Sequence, residues 1–257
     1  MNTIQIEKDD RGVAVLALTR AEKHNAMSAE MIADLTEAAA MLGADEAVRA
    51  VVLTGTGLSF CAGGDLGWMK EQMTASRAER MDGARALAQM LRALNEMPKP
   101  LIGRVQGNAF GGGVGLISVC DVAIAAEGAK LGLTETRLGL IPATISPYVI
   151  ARMGEARARR VFMSGRIFEA AEAKALGLVA KSVIPEHLDL AIEAEVKPYL
   201  SAAPRAVAAA KALARSLGPT IDDAVIERTV EALADTWETP AAMEGISAFF
   251  EKRKPVW

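Results

Sequence analysis

Histidine and cysteine are nearly missing from this chain, with two of each in 257 residues. Cys61 and Cys120 show no CxxC spacing, and with only His24 and His187 to join them no metal site is expected. Two thiols are too few for a disulfide framework and suit a reducing, cytoplasmic setting. No apolar run approaches the ~18 residues that cross a bilayer, so no membrane partner is expected. The opening Met1-Asn2-Thr3-Ile4-Gln5-Ile6-Glu7 has neither a basic start nor an apolar stretch, and no secretory leader is expected. Aromatic residues make up 4% of the chain and the net charge is −3, with no basic stripe, which excludes nucleic acid as an expected partner.

Glycine, by contrast, is plentiful, and it is concentrated in two turns. The first is Phe60-Cys61-Ala62-Gly63-Gly64-Asp65-Leu66 and the second runs from Gly107 through Gly111-Gly112-Gly113 to Gly115. Each follows an apolar run that reads as a buried strand, 50–54 and 101–105, and each leads into a helical segment. A glycine lets backbone N–H groups approach a ligand because no Cβ intervenes. Two such turns at neighbouring strand ends can aim two N–H groups at one oxygen, which is how an oxyanion hole is built, and this suggests chemistry on a carbonyl or thioester. The rival reading is phosphate or dinucleotide binding. Against it, the second turn lies in mid-chain, GxGxxG is not cleanly present, Tyr148 is followed four residues on by Arg152 and not lysine, and no GxxxxGK[ST] occurs.

Strand and helix patterns alternate up to about residue 145: strands at 3–7 and 13–18, a helix from the Ser28 cap to about Leu42 with Gly43 as its stop, and a strand at 50–54. A polar, Met-rich stretch at 68–82 precedes an amphipathic helix to about Glu96, ended by Pro98 and Pro100. It leaves two readings for Trp68, Met69 and Met73: a mobile lid over a pocket, or the start of a helix with core-facing methionines. A strand at 101–106 and another apolar run at 120–125 complete this part. Beyond 145 helix patterns dominate and no strand is evident. The expectation is an α/β fold with mostly parallel pairing, residues 1–195, followed by a helical region, residues 196–257.

Glu135 lies in an apolar setting, Leu131-Gly132-Leu133-Thr134-Glu135-Thr136-Arg137, before Pro142. On a loop it would be a surface charge or a partner for Arg137. Beside a ligand pocket, desolvation would raise its pKa into the range of a general acid or base. Cys61 has no histidine suitably placed and reads as a packing residue; His24 and His187 read as structural or surface groups.

Taken in order and spacing, these motifs resemble the crotonase (enoyl-CoA hydratase/isomerase) superfamily over essentially the whole length. Lys23-His24-Asn25-Ala26-Met27-Ser28 is similar to the family's Asn-Ala box, 60–66 to its AGxD turn, and 111–113 to its GGG turn. Thr134 to Pro142 resembles its P-E-x-x-x-G-x-x-P segment, and Glu244-Gly245 to Pro255 its E-G-x-x-A-F-x-E-K-R-x-P ending. The resemblance implies a spiral of βαβ units with a helical C-terminal trimerisation region. It implies that the Gly64 and Gly112 N–H groups form the oxyanion hole for an acyl-CoA thioester, and that Ala62, Asp65, Leu66 and Gly67 line the CoA groove. Lys23 and Lys252 would sit near CoA phosphates, Lys252 from a neighbouring subunit of a trimer or dimer of trimers. Coenzyme A would be carried by the substrate, with no separate cofactor.

One departure bears on the reaction. Two-glutamate hydratases carry a second Glu where this chain has Gly115, which leaves Glu135 as the matched carboxylate. Hydration of a 2-enoyl-CoA by one glutamate, Δ3,Δ2-enoyl-CoA isomerisation, and acyl-CoA binding without turnover are the readings this leaves. The run Leu140-Ile141-Pro142-Ala143-Thr144-Ile145-Ser146-Pro147-Tyr148 is similar to a bacterial subgroup of methylglutaconyl-CoA or geranoyl-type hydratases. That likeness implies a branched acyl group, for which Gly115 is expected to enlarge the pocket; Arg137 reads either as a surface or structural arginine or as a partner for a terminal substrate carboxylate.

Overall fold

A computed structural model describes all of residues 1–257. The chain enters as an antiparallel pair, β1 (Ile4–Lys8) and β2 (Val13–Leu18). Ser28 accepts a hydrogen bond from the Met31 amide and starts α1 (Ala29–Ala44). β3 (Ala50–Gly55), buried at every residue, pairs parallel with β2, and β4 (Ser59–Cys61) follows. Asp65 caps α2 (Leu66–Thr74), and a reciprocal Ser76/Glu79 capping box opens α3 (Arg77–Glu96). Next come β5 (Leu101–Val105), β6 (Asn108–Phe110), α4 (Gly112–Val119), β7 (Val122–Ala126) and β8 (Lys130–Gly132). Then follow α5 (Ser146–Met153), α6 (Glu155–Phe162), β9 (Ile167–Glu169), α7 (Ala170–Ala175) and β10 (Lys181–Val183). The rest is helical: α8 (Leu188–Ser201), α9 (Pro204–Ser216), α10 (Asp223–Trp237) and α11 (Pro240–Phe250). The expected boundary at residue 195 falls inside α8.

The strands build two sheets, six-stranded β1-β2-β3-β5-β7-β10 and four-stranded β4-β6-β8-β9. Consecutive strands alternate between them: β3, β5 and β7 lie in the large sheet, and β4, β6 and β8 in the small one. The chain therefore winds as a spiral, which is the expected architecture. Apart from β1–β2 and β8–β9, the pairings are parallel. Strands covered on both faces read as continuous apolar runs. The main core packs one face of the large sheet against α1, α3 and α4, while Leu188, Ile192 and Val196 of α8 cover Val13, Val52 and Ile102 on the other face.

Three expectations need correction. Gly43 does not stop α1, which continues to Ala44 and is closed by Asp45; a Cβ at 43 would sit 3.1 Å from Pro98 Cδ, so the glycine permits a close crossing. The amphipathic helix ending at Glu96 starts at Arg77, inside the stretch 68–82, and the residues before it form α2 with Met69 buried, as in the helix reading of that stretch. Strands do occur beyond 145, at β9 and β10. Each is three residues long, too short to show a period.

Candidate active site

β4 and β6 are neighbours in the small sheet, so the glycine turns that leave their ends lie side by side. A Cβ on Gly63 would lie 3.0 Å from the Phe110 oxygen. The first turn is held by the segment before α1. Met27 forms a parallel bridge to Gly64, with its N–H donating to Gly63 O (2.7 Å) and its carbonyl accepting from the Asp65 amide (2.9 Å). In a parallel bridge the two bonds go to the residues flanking the partner, so Gly64's own N–H faces the other way. Gly112 is the first residue of α4, where helical amides have no partner within the helix. Neither the Gly64 nor the Gly112 amide meets an acceptor elsewhere in the chain.

The segment that holds the turn is itself tightly specified. Asn25 and His24 have φ of 53° and 52°. Asn25 Nδ2 donates to Thr56 O (2.9 Å) and Ser59 O (2.8 Å), and its Oδ1 accepts from the Arg20 amide (3.0 Å). The Arg20 guanidinium donates to Ala26 O (2.6 Å) and to Asp65 Oδ2 (2.8 Å). Asp65 Oδ1 accepts from the Gly67 and Trp68 amides at 2.8 and 3.3 Å. Burial alone would raise the Asp65 pKa, but Arg20 and the two amides outweigh it and hold the carboxyl below its usual range. Asp65 is thus a cap and an ion-pair partner beside the turn. His24 Nδ1 meets Ser59 Oγ at 3.0 Å, a structural contact.

Glu135 begins a 3-10 turn, Glu135–Leu138, closed by Gly139 in the left-handed region. A Cβ on Gly111 would fall 3.0 Å from Glu135 Oε1, so this carboxylate rests directly against the second glycine turn. Oε2 is sealed from solvent and has no hydrogen-bond partner, although the residue as a whole is only half-buried because it also borders a cavity. Burial pushes the carboxyl pKa up to about 7. An unpartnered buried polar atom costs stability, and such groups gather where function needs them.

The cavity measures about 490 Å³. Gly64, Gly112 and Glu135 border it together with Ala62 and Leu66, and its walls are largely apolar. Arg137, exposed at the rim and free of any ion pair, is the one other charged side chain that borders it. Trp68 and Met69 of α2 line it, while Met73 packs against the buried cluster of Leu140, Trp237, Ala242 and Ile246. Gly67 lies on the first turn of α2 outside the lining, and Lys23 and Lys252 are exposed and border no part of it. Cys61 is buried and its thiol is pushed up to about 12 by desolvation, which suits packing and not nucleophilic attack.

Sequence reasoning missed Arg20, which fastens the first glycine turn, and Trp237 and Phe249, which reach the cavity from α10 and α11. It also misread Gly115. A Cβ there would lie 2.7 Å from Ile145 Cγ2 and 3.5 Å from Leu91 Cδ1, so those side chains already fill the space and Gly115 does not enlarge the cavity. A second cavity, about 590 Å³, lies between α5 and α9. There Lys211 is bound to Asp121 (2.7 Å) and Arg152 donates to the Asp121 carbonyl (3.2 Å).

A family model described as enoyl-CoA hydratase/isomerase matches residues 8–257. The human mitochondrial methylglutaconyl-CoA hydratase is 33% identical over 263 residues, covering 97% of this chain and 75% of that protein. A crystal structure of an enoyl-CoA hydratase from Shewanella pealeana superposes with a TM-score of 0.82 at 36% identity, covering 100% of this chain and 96% of that one. Another, an enoyl-CoA hydratase from Mycobacterium avium, gives 0.86 at 31% identity over 99% and 98% of the two chains.

Proposed function

This chain belongs to the enoyl-CoA hydratase/isomerase family, the crotonase superfamily, and on that premise we propose that it adds water to the double bond of a 2-enoyl-CoA. The observation that carries the proposal is the Glu135 carboxylate, whose Oε2 is buried and unpartnered, set against a glycine turn whose Gly112 amide, like that of Gly64, is uncommitted. The thioester oxygen accepts both N–H groups, which draws electrons from the double bond and makes C3 electrophilic. Glu135, as carboxylate, takes a proton from water while the water oxygen bonds to C3. The π pair moves to C2 and the thioester oxygen as an enolate. Glu135 then returns the proton to C2. One carboxylate serves as base and then acid, because Ile145 occupies the space where a side chain at 115 would lie.

That same economy of carboxylates supports the second reading, in which Glu135 moves a proton from C2 to C4 of a 3-enoyl-CoA. Mass detection separates the readings. Hydration raises the mass of a 2-enoyl-CoA by one water, whereas isomerisation converts a 3-enoyl-CoA at constant mass. Binding of both esters without either product would identify an acyl-CoA-binding protein that has lost catalysis.

The acyl group we propose is a branched one that carries a terminal carboxylate, supported by the unpaired Arg137 at the rim and by the named methylglutaconyl-CoA relative. Arg137→Leu is expected to lower kcat/KM for carboxylated enoyl-CoA esters by roughly tenfold or more, the usual range for a hydrogen bond to a charged group, and to leave linear esters nearly unchanged. Equal losses on both classes would exclude this role. CoA arrives within the substrate, with Lys23 and Lys252 as candidate phosphate partners. We further propose a homotrimer or a dimer of trimers, in which Met243, Phe249, Phe250 and Trp257, exposed in the single chain, would be covered; light scattering of the purified protein tests this. No helix is long and apolar enough to cross a membrane.

A further inference from the structure

The reaction chemistry above does not use the C-terminal pair Glu244-Gly245. Glu244 is accounted for by its ion pair with Arg253 (2.5 and 2.9 Å) and by the Val256 amide (2.8 Å), which fold the tail onto α11. Gly245 sits inside α11, where glycine is less favourable than alanine. The reason for it lies on its flank. A Cβ at 245 would stand 2.5 Å from the carbonyl carbon of Leu138, 2.6 Å from its oxygen and 2.9 Å from its Cα. All three are backbone atoms that cannot rotate away, and Leu138 is the last residue of the turn that begins with Glu135.

The contact is reciprocal. A Cβ on Gly139 would stand 2.3 Å from Ala241 O and 2.7 Å from Ala242 N, so bare backbone meets bare backbone with a glycine on each side. Around this seat Leu140, Trp237, Ala242 and Ile246 form a buried cluster. The turn itself is short and has no side-chain cap. Its placement therefore depends on what it rests against, and α11 supplies that surface.

We propose that Gly245 is a positioning residue for Glu135: it seats α11 against the backbone of the 135–138 turn and so fixes the carboxylate in its dry position over the second glycine turn. This rests on the reading of Glu135 as the reacting carboxylate. A side chain at 245 would push the turn away from α11 and admit water to Oε2. Among the side chains that border the cavity only Arg137 is also charged, and the Glu244 carboxylate on α11 is committed to Arg253, so solvation dominates the titration of Glu135.

The test is the titration of the Glu135 carboxyl, followed by carbon-13 NMR in glutamate-labelled protein, alongside kcat and KM. In Gly245→Ala the Glu135 midpoint should fall from about 7 toward the ordinary value of 4.5. Turnover should drop by about tenfold or more, with KM much less affected, as expected of a misplaced group. Thr239→Ala removes the cap of α11 without adding an atom near Leu138; it should lower the unfolding midpoint and leave the Glu135 titration in place. A parental titration in Gly245→Ala, or an equal shift in Thr239→Ala, overturns the proposal. Should Gly245→Ala fail to fold, Ile246→Ala empties the space behind the same seat; the midpoint should again fall, and an unmoved midpoint overturns the proposal. Parental turnover in Glu135→Gln would instead overturn the catalytic reading, and the titration would still decide whether Gly245 positions the turn.

Discussion

Glu135→Gln is expected to lower kcat for hydration by about two to four orders of magnitude, the range for loss of a positioned general acid–base, with little change in affinity for a saturated acyl-CoA. Glutamine keeps the size and the polar end but neither takes nor returns a proton. In the parent enzyme the base must be ionised, and burial places its pKa near 7. Turnover should therefore rise with pH through about 7 and level off above it. The same shift predicts stability. A carboxyl whose folded pKa of about 7 exceeds its ordinary 4.5 binds more protons folded than unfolded between those values, so the fold loses stability as pH rises through that window. Above pH 7 the deficit is constant, on the order of 3 kcal/mol at most for a shift of this size. Glu135→Gln has no such deficit. It should be more stable than the parent at pH 8 and about equal below pH 4.5, measured by urea unfolding at both. An inactive variant that shows no stability gain at pH 8 would place the carboxylate in a wetter site than the one described.

The residues that carry this argument were legible to different degrees. The long apolar runs 50–54 and 101–105 reveal their strands because burial on both faces removes polar alternation. The glycine turns reveal themselves because the backbone packs so closely there, with Gly63 against Phe110 O and Gly113 against Cys61 O, that a Cβ has little or no room. The small sheet was hidden: β4, β6, β8 and β9 have three residues each, and no periodicity can be read from three positions. The Ser76-to-Glu79 capping box was present and would have separated α2 from α3. Gly115 and Gly43 were misread for one reason. A glycine that makes room for a ligand or ends a helix looks in sequence like one that makes room for Ile145 or Pro98, because the neighbour lies far along the chain. The dryness of Glu135 was foreseen only as a condition, since it depends on walls supplied by α10 and α11, a hundred residues further on.

The glycines of the two turns are not equivalent, and under the proposed oxyanion role their differences make the second large prediction. A Cβ on Gly113 would lie 2.3 Å from the Cys61 oxygen and 3.2 Å from its carbonyl carbon. Cys61 ends β4, is fully buried, and is followed at once by the turn that carries Gly64, so the clash cannot be relieved by a side-chain rotation. Relief needs β4 and the start of α4 to separate by about an ångström, a displacement that can cost around a hundredfold in rate when it falls on groups that must converge on one atom. Because it moves the Gly64 and Gly112 amides apart, Gly113→Ala should lower kcat/KM by about two to three orders of magnitude, as loss of an oxyanion donor does. It should also destabilise the fold by roughly 1–3 kcal/mol through overpacking. Gly64→Ala makes the contrast. The nearest atoms to the new Cβ would be Trp68 and Met69 side-chain atoms at 3.6–3.7 Å, ordinary contacts, and the amide is retained. Its loss of activity should be far smaller, although Gly64 is itself a proposed donor. Gly112→Ala should fall between the two, since its Cβ would strike only the terminal methyl of Met27, which can swing away. Measured kcat/KM and urea midpoints for the three variants give the order. If Gly64→Ala proves the most damaging and Gly113→Ala the least, the two turns do not hold the thioester by the convergence of their amides.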